Sequence, residues 1–278
     1  MHVTTILGWP LEHTLSPEIH NAAFRELALE WAYEAWPVRP RRLRRALARF
    51  RKGEQYVGAN VTMPHKEKVL PLLDETSGDA SAIGAVNTIQ KLGPKLVGHN
   101  TDVDGFREFL SADAGYDARD KRALVLGAGG AARAVVRALG ELGAAEIAVA
   151  GRRAGKRAEV ANLVPTIRTS EVSWDDAASV AEGSDLVVNA TPLGMNGENP
   201  LPNARWRAGQ VVVDVVYRPP VTPVMAAARA QGAVAWGGLG MLIHQAAASF
   251  RIWTGQDPPL ETMSAAALHA LGPLRADG

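Results

Sequence analysis

Lys66 stands in the stretch Asn60-Val-Thr-Met-Pro-His-Lys, one ammonium just past a strand-like run. Asp102 stands in Gly-His-Asn-Thr-Asp, at the end of another such run. A lysine poised by a carboxylate can donate a proton to an oxygen that is gaining charge, or stabilise that charge without giving the proton up. Pro64 reads as a helix start, which puts Lys66 in the first turn; a cation is disfavoured at that positive end, so helix stability does not explain it. Lys68 falls on another face of the same expected helix. Thr14 and Ser16 add two hydroxyls at i, i+2, which an extended segment turns to one side. Two neutral donors at a helix start can hold a carboxylate. Ser16, followed by Pro17 and Glu18, reads equally as a plain helix N-cap. Asn87, in Gly-Ala-Val-Asn-Thr, and Asp102, as N-cap of a helix beginning Asp-Val-Asp-Gly-Phe, complete a set of polar side chains at strand ends. In doubly wound sheets, ligands bind beyond those ends.

A second chemistry lies in Leu-Val-Leu-Gly-Ala-Gly-Gly-Ala-Ala-Arg, with Gly127, Gly129 and Gly130 between an apolar strand and a helix. Glycine there lets the backbone turn sharply and lets a pyrophosphate approach the helix N-terminus. Ala132 holds the position of the third glycine in the usual G-x-G-x-x-G spacing, so the stretch also fits a glycine-rich turn of any α/β domain. About 20 residues further on, an NAD site places a carboxylate on the ribose 2′-hydroxyl. Here the strand Glu-Ile-Ala-Val-Ala runs instead into Gly151, Arg152, Arg153, Lys156 and Arg157. Cations at that place attract a 2′-phosphate, and arginine can grip it with two hydrogen bonds, which selects NADP; a solvated basic helix start would carry the same residues.

These residues need two frames to position them. Val3–Gly8, Trp31–Val38 and Tyr56–Thr62 read as strands, the segments 16–29 and 41–50 as helices, and 85–90 with 95–100 as a further strand pair turning at Leu-Gly-Pro. From Lys121 a second alternation of strands and helices begins, and from Gly240 a long helix. The pattern predicts an α/β protein of two α/β domains, each with a mostly parallel sheet. Residues 1–102 with 241–278 would form a substrate-binding, catalytic domain, and residues 103–240 a Rossmann-type, NADP-binding one. The C-terminal helices would return to the first domain. Trp-Gly-Gly-Leu-Gly at the second boundary reads as a hinge or as an ordinary loop.

The composition removes other classes. The 278 residues carry 30 lysines and arginines against 29 acidic residues, a net charge of +1 that gives no reason to expect nucleic acid or an anionic membrane. With no cysteine there is no disulfide, thiolate nucleophile or cysteine-held metal. The seven histidines lack the spacing of a zinc site, so no metal is expected. The arginine-rich segment 41–52 has an apolar stripe of Leu43, Leu47 and Phe50 without interleaved stacking residues, and reads as a solvated amphipathic helix. His13 and His65 flank the polar set, either shaping a pocket or lying at the surface. No secretory pattern and no apolar run near ~20 residues is visible, so a cytoplasmic protein is expected.

Ser-Pro-Glu-Ile-His-Asn-Ala-Ala-Phe, Gly-Ala-Asn-Val-Thr-Met-Pro-His-Lys, Gly-Ala-Val-Asn-Thr, Gly-His-Asn-Thr-Asp-Val-Asp-Gly-Phe, Leu-Gly-Ala-Gly-Gly-Ala-Ala-Arg-Ala-Val, Asn-Ala-Thr-Pro-Leu-Gly-Met and Gly-Gly-Leu-Gly-Met-Leu-Ile-His-Gln-Ala occur in that order along the chain. With them the whole chain resembles the shikimate dehydrogenase family. The resemblance implies reversible NADPH-dependent reduction of 3-dehydroshikimate to shikimate, on the route to chorismate and the aromatic amino acids. It implies that Thr14 and Ser16 hold the substrate carboxylate, that Thr62, Lys66, Asn87, Asp102 and Gln245 surround the ring hydroxyls with Tyr217 nearby, and that Lys66 and Asp102 are the catalytic pair. Gly127, Ala128, Gly129, Gly130, Ala131, Gly151, Arg152, Arg153, Lys156, Thr191, Val215 and Gly238 are the implied NADP contacts. Thr14 stands where the family commonly has serine, and Gly151-Arg152-Arg153 where it has Asn-Arg-Thr. These departures keep a quinate-using relative with relaxed cofactor choice in view. A non-catalytic NADPH-binding sensor is the reading from another class. The partner is the small-molecule substrate, and a homodimer is left open.

Overall fold

The computed structural model describes residues 1–272, which form two six-stranded sheets and fall into two compact units. Met1–Gly105 and Ile243 onward make the first unit; Phe106–Leu242 make the second.

In the first unit the order along the chain is β1 (His2–Gly8), α1 (Ser16–Glu26), β2 (Trp31–Pro37), α2 (Leu43–Lys52), β3 (Tyr56–Val61), β4 (Glu75–Thr76), α3 (Gly78–Ile83), β5 (Thr88–Leu92) and β6 (Lys95–His99). The sheet runs β2-β1-β3-β5-β6-β4. β1 pairs in parallel with β2 and β3, whereas β5 is antiparallel to both β3 and β6. The sheet is therefore parallel but for one strand, and that strand belongs to the hairpin expected around Leu-Gly-Pro. The buried run Val3–Gly8 explains the central place of β1, since a strand covered on both faces reads as a continuous apolar segment. Leu43, Leu47 and Phe50 of α2 are buried in the same core as Val3, Leu7, Val61 and Ile89, while its arginines stay outside. α10 (Leu260–Leu271) packs on α1.

The second unit contains β7 (Arg122–Leu126), α5 (Gly130–Glu141), β8 (Glu146–Ala150), α6 (Ala154–Ala161), β9 (Arg168–Val172), α7 (Ala177–Gly183), β10 (Leu186–Asn189), β11 (Val211–Asp214), α8 (Pro223–Ala230) and β12 (Val234–Gly237). All its strand pairs are parallel, in the order β12-β11-β10-β7-β8-β9. Counted from β7 this is 3-2-1-4-5-6, the doubly wound order whose ligand crevice lies where the winding reverses, here between β7 and β10. β7, β8, β10 and β11 are apolar and almost wholly buried, as strands covered on both faces should be. β9 and β12 escaped the sequence reading. They are edge strands, half exposed, and their mixed residues carry little apolar signal. The divisions between units fall within two helices, α4 (Asp102–Glu108), which continues as a π-helical turn at Phe109–Asp113, and α9 (Leu239–Thr254).

Candidate active site

Lys66 does not lie in a helix. After β3 the chain makes turns from Thr62 to Val69, and no α-helix forms before Gly78. The carbonyls that a helix would use are engaged elsewhere: Met63 accepts from Trp9 N–H at 3.0 Å and Lys66 from Val86 N–H at 2.8 Å. Its own segment therefore forms no helix whose dipole would oppose this lysine. Its ammonium donates to Asp102 Oδ2 at 2.6 Å. The lysine side chain is 18% exposed and the carboxylate 5%, so the pair is open to a ligand from the lysine side.

Asp102 is the first residue of α4 rather than its N-cap, because its carboxylate is turned to side chains instead of the helix amides. Asn100 Oδ1 accepts from the Asp102 N–H at 3.1 Å in its place. Asn87, buried just before β5, donates to Asp102 Oδ1 at 2.9 Å and to Gln245 Oε1, on α9, at 3.3 Å. Its own side-chain carbonyl oxygen accepts from Thr101 N–H at 2.7 Å. Lys66, Asp102, Asn87 and Gln245 are thus joined by direct hydrogen bonds, from four separate parts of the sequence.

Beneath them lies a polar layer that the sequence reading missed. Asn60 Nδ2 donates to Asn87 O at 3.1 Å, Thr88 Oγ1 at 3.1 Å and Ser249 Oγ at 3.0 Å, and Asn60 Oδ1 accepts from the Tyr33 hydroxyl at 2.7 Å. Ser249 donates to Gln245 O at 2.9 Å, one helical turn back, and lies 3.0 Å from Thr101 Oγ1. An amide inside the otherwise apolar Tyr56–Val61 was the available signal, since a buried polar group needs partners. Burial pushes the Tyr33 hydroxyl well above its ordinary pKa, with the Ser16 hydroxyl working in the opposite direction. His20 is stacked on Tyr33 with ring centroids 4.5 Å apart and is lowered to about 3 by burial.

Thr14 and Ser16 meet, but not through an extended segment. The chain turns at Leu11–Thr14, with the Thr14 N–H on Leu11 O, and Leu15 is helical at the cap position. The Thr14 hydroxyl donates to Ser16 Oγ at 3.3 Å. Ser16 begins α1 without capping it, so the N-cap reading fails and its hydroxyl serves no helix amide. Thr62 is half buried directly after β3, its N–H on Leu7 O at 2.9 Å. Tyr217 belongs to the second unit, on the half-buried stretch after β11.

In that unit Gly127 follows β7 with φ +116°, and an added Cβ would lie 2.9 Å from Ala190 O, after β10. Only glycine suits that conformation and that approach at the switch point. Ala128, Gly129, Gly130 and Ala131 are partly or fully exposed at the start of α5, whose amides have no side-chain cap. Such a helix start can take a pyrophosphate. At the end of β10, Thr191 donates to Asn189 Oδ1 at 2.7 Å and accepts from Leu193 N–H at 3.1 Å. Asp214, ending β11, is fully buried and its carboxyl is raised by that burial, against bonds from Thr222, Val216 N–H and Asn189. Val215 and Gly238 touch so closely that a side chain at 238 would strike the Val215 backbone.

The four cations after Gly151 divide into two pairs. Lys156 is on Glu159 at 2.8 Å, and Arg157 donates to Gly151 O at 2.7 Å. Arg152 and Arg153 are exposed and have no side-chain hydrogen bond or ion pair among the described residues. A phosphate held by these two would displace no internal partner. Among the described residues there is no group of three or more His, Cys, Asp or Glu side chains able to hold a metal, and no helix long and apolar enough to cross a membrane.

A parallel sheet of this order with glycines at its switch point, joined in one chain to a mixed sheet bearing a lysine–carboxylate pair, defines a two-unit dinucleotide-dependent oxidoreductase. Family profiles described as "Shikimate dehydrogenase substrate binding domain", "Shikimate / quinate 5-dehydrogenase" and "Shikimate 5'-dehydrogenase C-terminal domain" match residues 6–89, 110–199 and 238–268. A relative from Salinibacter ruber named shikimate dehydrogenase (NADP(+)) is 46% identical, over 92% of this chain and 93% of its own length. A crystal structure of shikimate dehydrogenase in complex with NADP+ superposes with a TM-score of 0.88 at 35% identity, covering 98% of this chain and 96% of that one. The shikimate 5-dehydrogenase of Thermus thermophilus, in complex with NADP(H) and shikimate, gives 0.85 at 38% identity, covering 97% and 100%. The chain belongs to the shikimate dehydrogenase family.

Proposed function

We propose that the protein catalyses the reversible NADPH-dependent reduction of 3-dehydroshikimate to shikimate, and that its biosynthetic direction is reduction. The observation that carries the reading is the 2.6 Å bond from Lys66 to Asp102 Oδ2, with Asn87 holding the other carboxylate oxygen. Thr14 and Ser16 offer paired hydroxyls to the substrate carboxylate. Asn87 and Gln245 face the ring hydroxyls from their shared network. NADPH, when bound by the glycine turn, supplies the hydride that reduces the C3 carbonyl. Lys66 gives its proton to the alkoxide oxygen formed at C3, and Asp102 holds the ammonium in line for that transfer. In the reverse direction the same lysine, neutral, takes the proton back from the C3 hydroxyl. Arg152 and Arg153 serve the 2′-phosphate that distinguishes NADPH from NADH.

Absorbance of reduced cofactor tests the reading, with shikimate or quinate as substrate and NADP+ or NAD+ as acceptor. Turnover with shikimate and NADP+ supports it. Equal turnover of quinate supports the second reading, to which Thr14 in the place of serine points. Cofactor binding without turnover of either substrate would leave only a sensor. The proposal places the protein in the cytoplasm, which cell fractionation tests, and leaves a homodimer open, which sedimentation velocity measures.

A further inference from the structure

The turns that carry Lys66 have no helix or strand to brace them, yet the ammonium lies 2.6 Å from Asp102 Oδ2. Backbone bonds hold the segment at intervals: Thr62 N–H on Leu7 O at 2.9 Å, Trp9 N–H on Met63 O at 3.0 Å, and Val86 N–H on Lys66 O at 2.8 Å. One side chain holds it as well. His65 is fully buried, and its Nε2 lies 2.6 Å from the carbonyl oxygen of Val38, just past β2. A backbone carbonyl can only accept, so Nε2 carries the hydrogen. Nδ1 has no partner among the described residues, which leaves the Val38 bond as the ring's one polar attachment. Val38 is itself fixed, its N–H on Gly8 O at 2.8 Å. The ring therefore ties the lysine segment to the ends of β1 and β2.

We propose that His65 is a positioning residue for the reaction: its Nε2–H, anchored on Val38 O, fixes the turn beside it and so holds the Lys66 ammonium on Asp102, without touching substrate. Burial, with the nearby Lys68 cation, lowers the pKa of the ring, against the opposing effect of the Val38 bond. The inference rests on the role given to Lys66 in the proposed reaction.

Four variants and one measurement independent of turnover test it. His65→Leu removes the donor, and His65→Gln keeps an amide N–H able to reach the same carbonyl. His65→Leu should lower kcat about tenfold, because a misplacement of about 1 Å can cost more than that, with KM for shikimate within about threefold. His65→Gln should restore most of the loss. In the Lys66→Ala background, His65→Leu should cost less than about twofold, since the loss runs through the lysine. Hydrogen exchange of amides 62–69 should quicken in His65→Leu and not in His65→Gln. If His65→Leu gives no soluble protein, His65→Asn, whose amide falls short of Val38, replaces it. An undiminished loss in the Lys66→Ala background, a loss confined to KM, or unchanged exchange in the segment would overturn the proposal. An unaltered exchange difference in an enzyme that does not oxidise shikimate would instead overturn the reaction while sustaining the anchor.

Discussion

At the scale of single residues the structure separates groups that the sequence presents as equals. Lys66 and Lys68 are two positions apart, but only Lys66 meets a buried carboxylate. Lys66→Ala should lower kcat by about 10²-fold or more and change KM for shikimate far less, because a proton donor acts in the transition state; steady-state kinetics with saturating NADP+ reads both. The four cations after β8 divide in the same way. Replacing Arg152 and Arg153 together with serine should raise KM for NADPH by roughly tenfold or more, the cost of one or two charge-assisted hydrogen bonds, and leave KM for NADH unchanged. Lys156→Ala should have the smaller effect, since Glu159 already engages that ammonium. The pairing of Lys66 and Asp102 was legible because each follows a strand-like run, and Asn87 because it lies next to one. Asn60, Tyr33, Thr88 and Ser249 were not, because a single polar residue inside an apolar run shows that it needs partners and does not show which ones.

At the scale of elements, the sequence errs where long-range bonds replace local ones. The segment from Pro64 to Leu70 has helix-like composition, yet Trp9 and Val86, remote in sequence, take the carbonyls of Met63 and Lys66. No local pattern announces such partners. The same holds for Ser16 and Asp102, good cap residues by type, whose side chains the fold turns to other uses. The glycine turn after β7 was legible because the positive φ it requires is a local property. Gly127→Ala would place a methyl group against Ala190 O in a backbone conformation that alanine resists, a strain of about 1–3 kcal/mol. It should weaken NADPH binding about tenfold or more in a fluorescence titration, while calorimetric binding of shikimate stays within about threefold.

At the scale of the whole molecule, buried imidazoles contribute to the response to acid. His20 is lowered to about 3 from 6.5 by burial, and burial also lowers His65 and His99. Between those two values the unfolded chain binds a proton at position 20 that the folded chain refuses. The stability that neutral His20 permits is complete above its unfolded pKa and is lost as pH falls towards the folded one, by about 1.4 kcal/mol per pH unit. His20→Phe keeps a ring against Phe24, Tyr33 and Trp253 and removes the titration. Its urea-unfolding midpoint should therefore fall less than that of the wild type between about pH 7 and about pH 5.

β5 and β6 leave the network and return to it: Asn87 precedes the hairpin, Asp102 follows it, and the two are 15 residues apart. Their turn, Gly93-Pro94, is exposed at the opposite end of the strands. Extra chain spliced in there would lengthen a surface tip and leave both chemical ends in register. A peptide tag or a small domain carried at that tip offers a handle for immobilising the enzyme with its reactive groups left as they are.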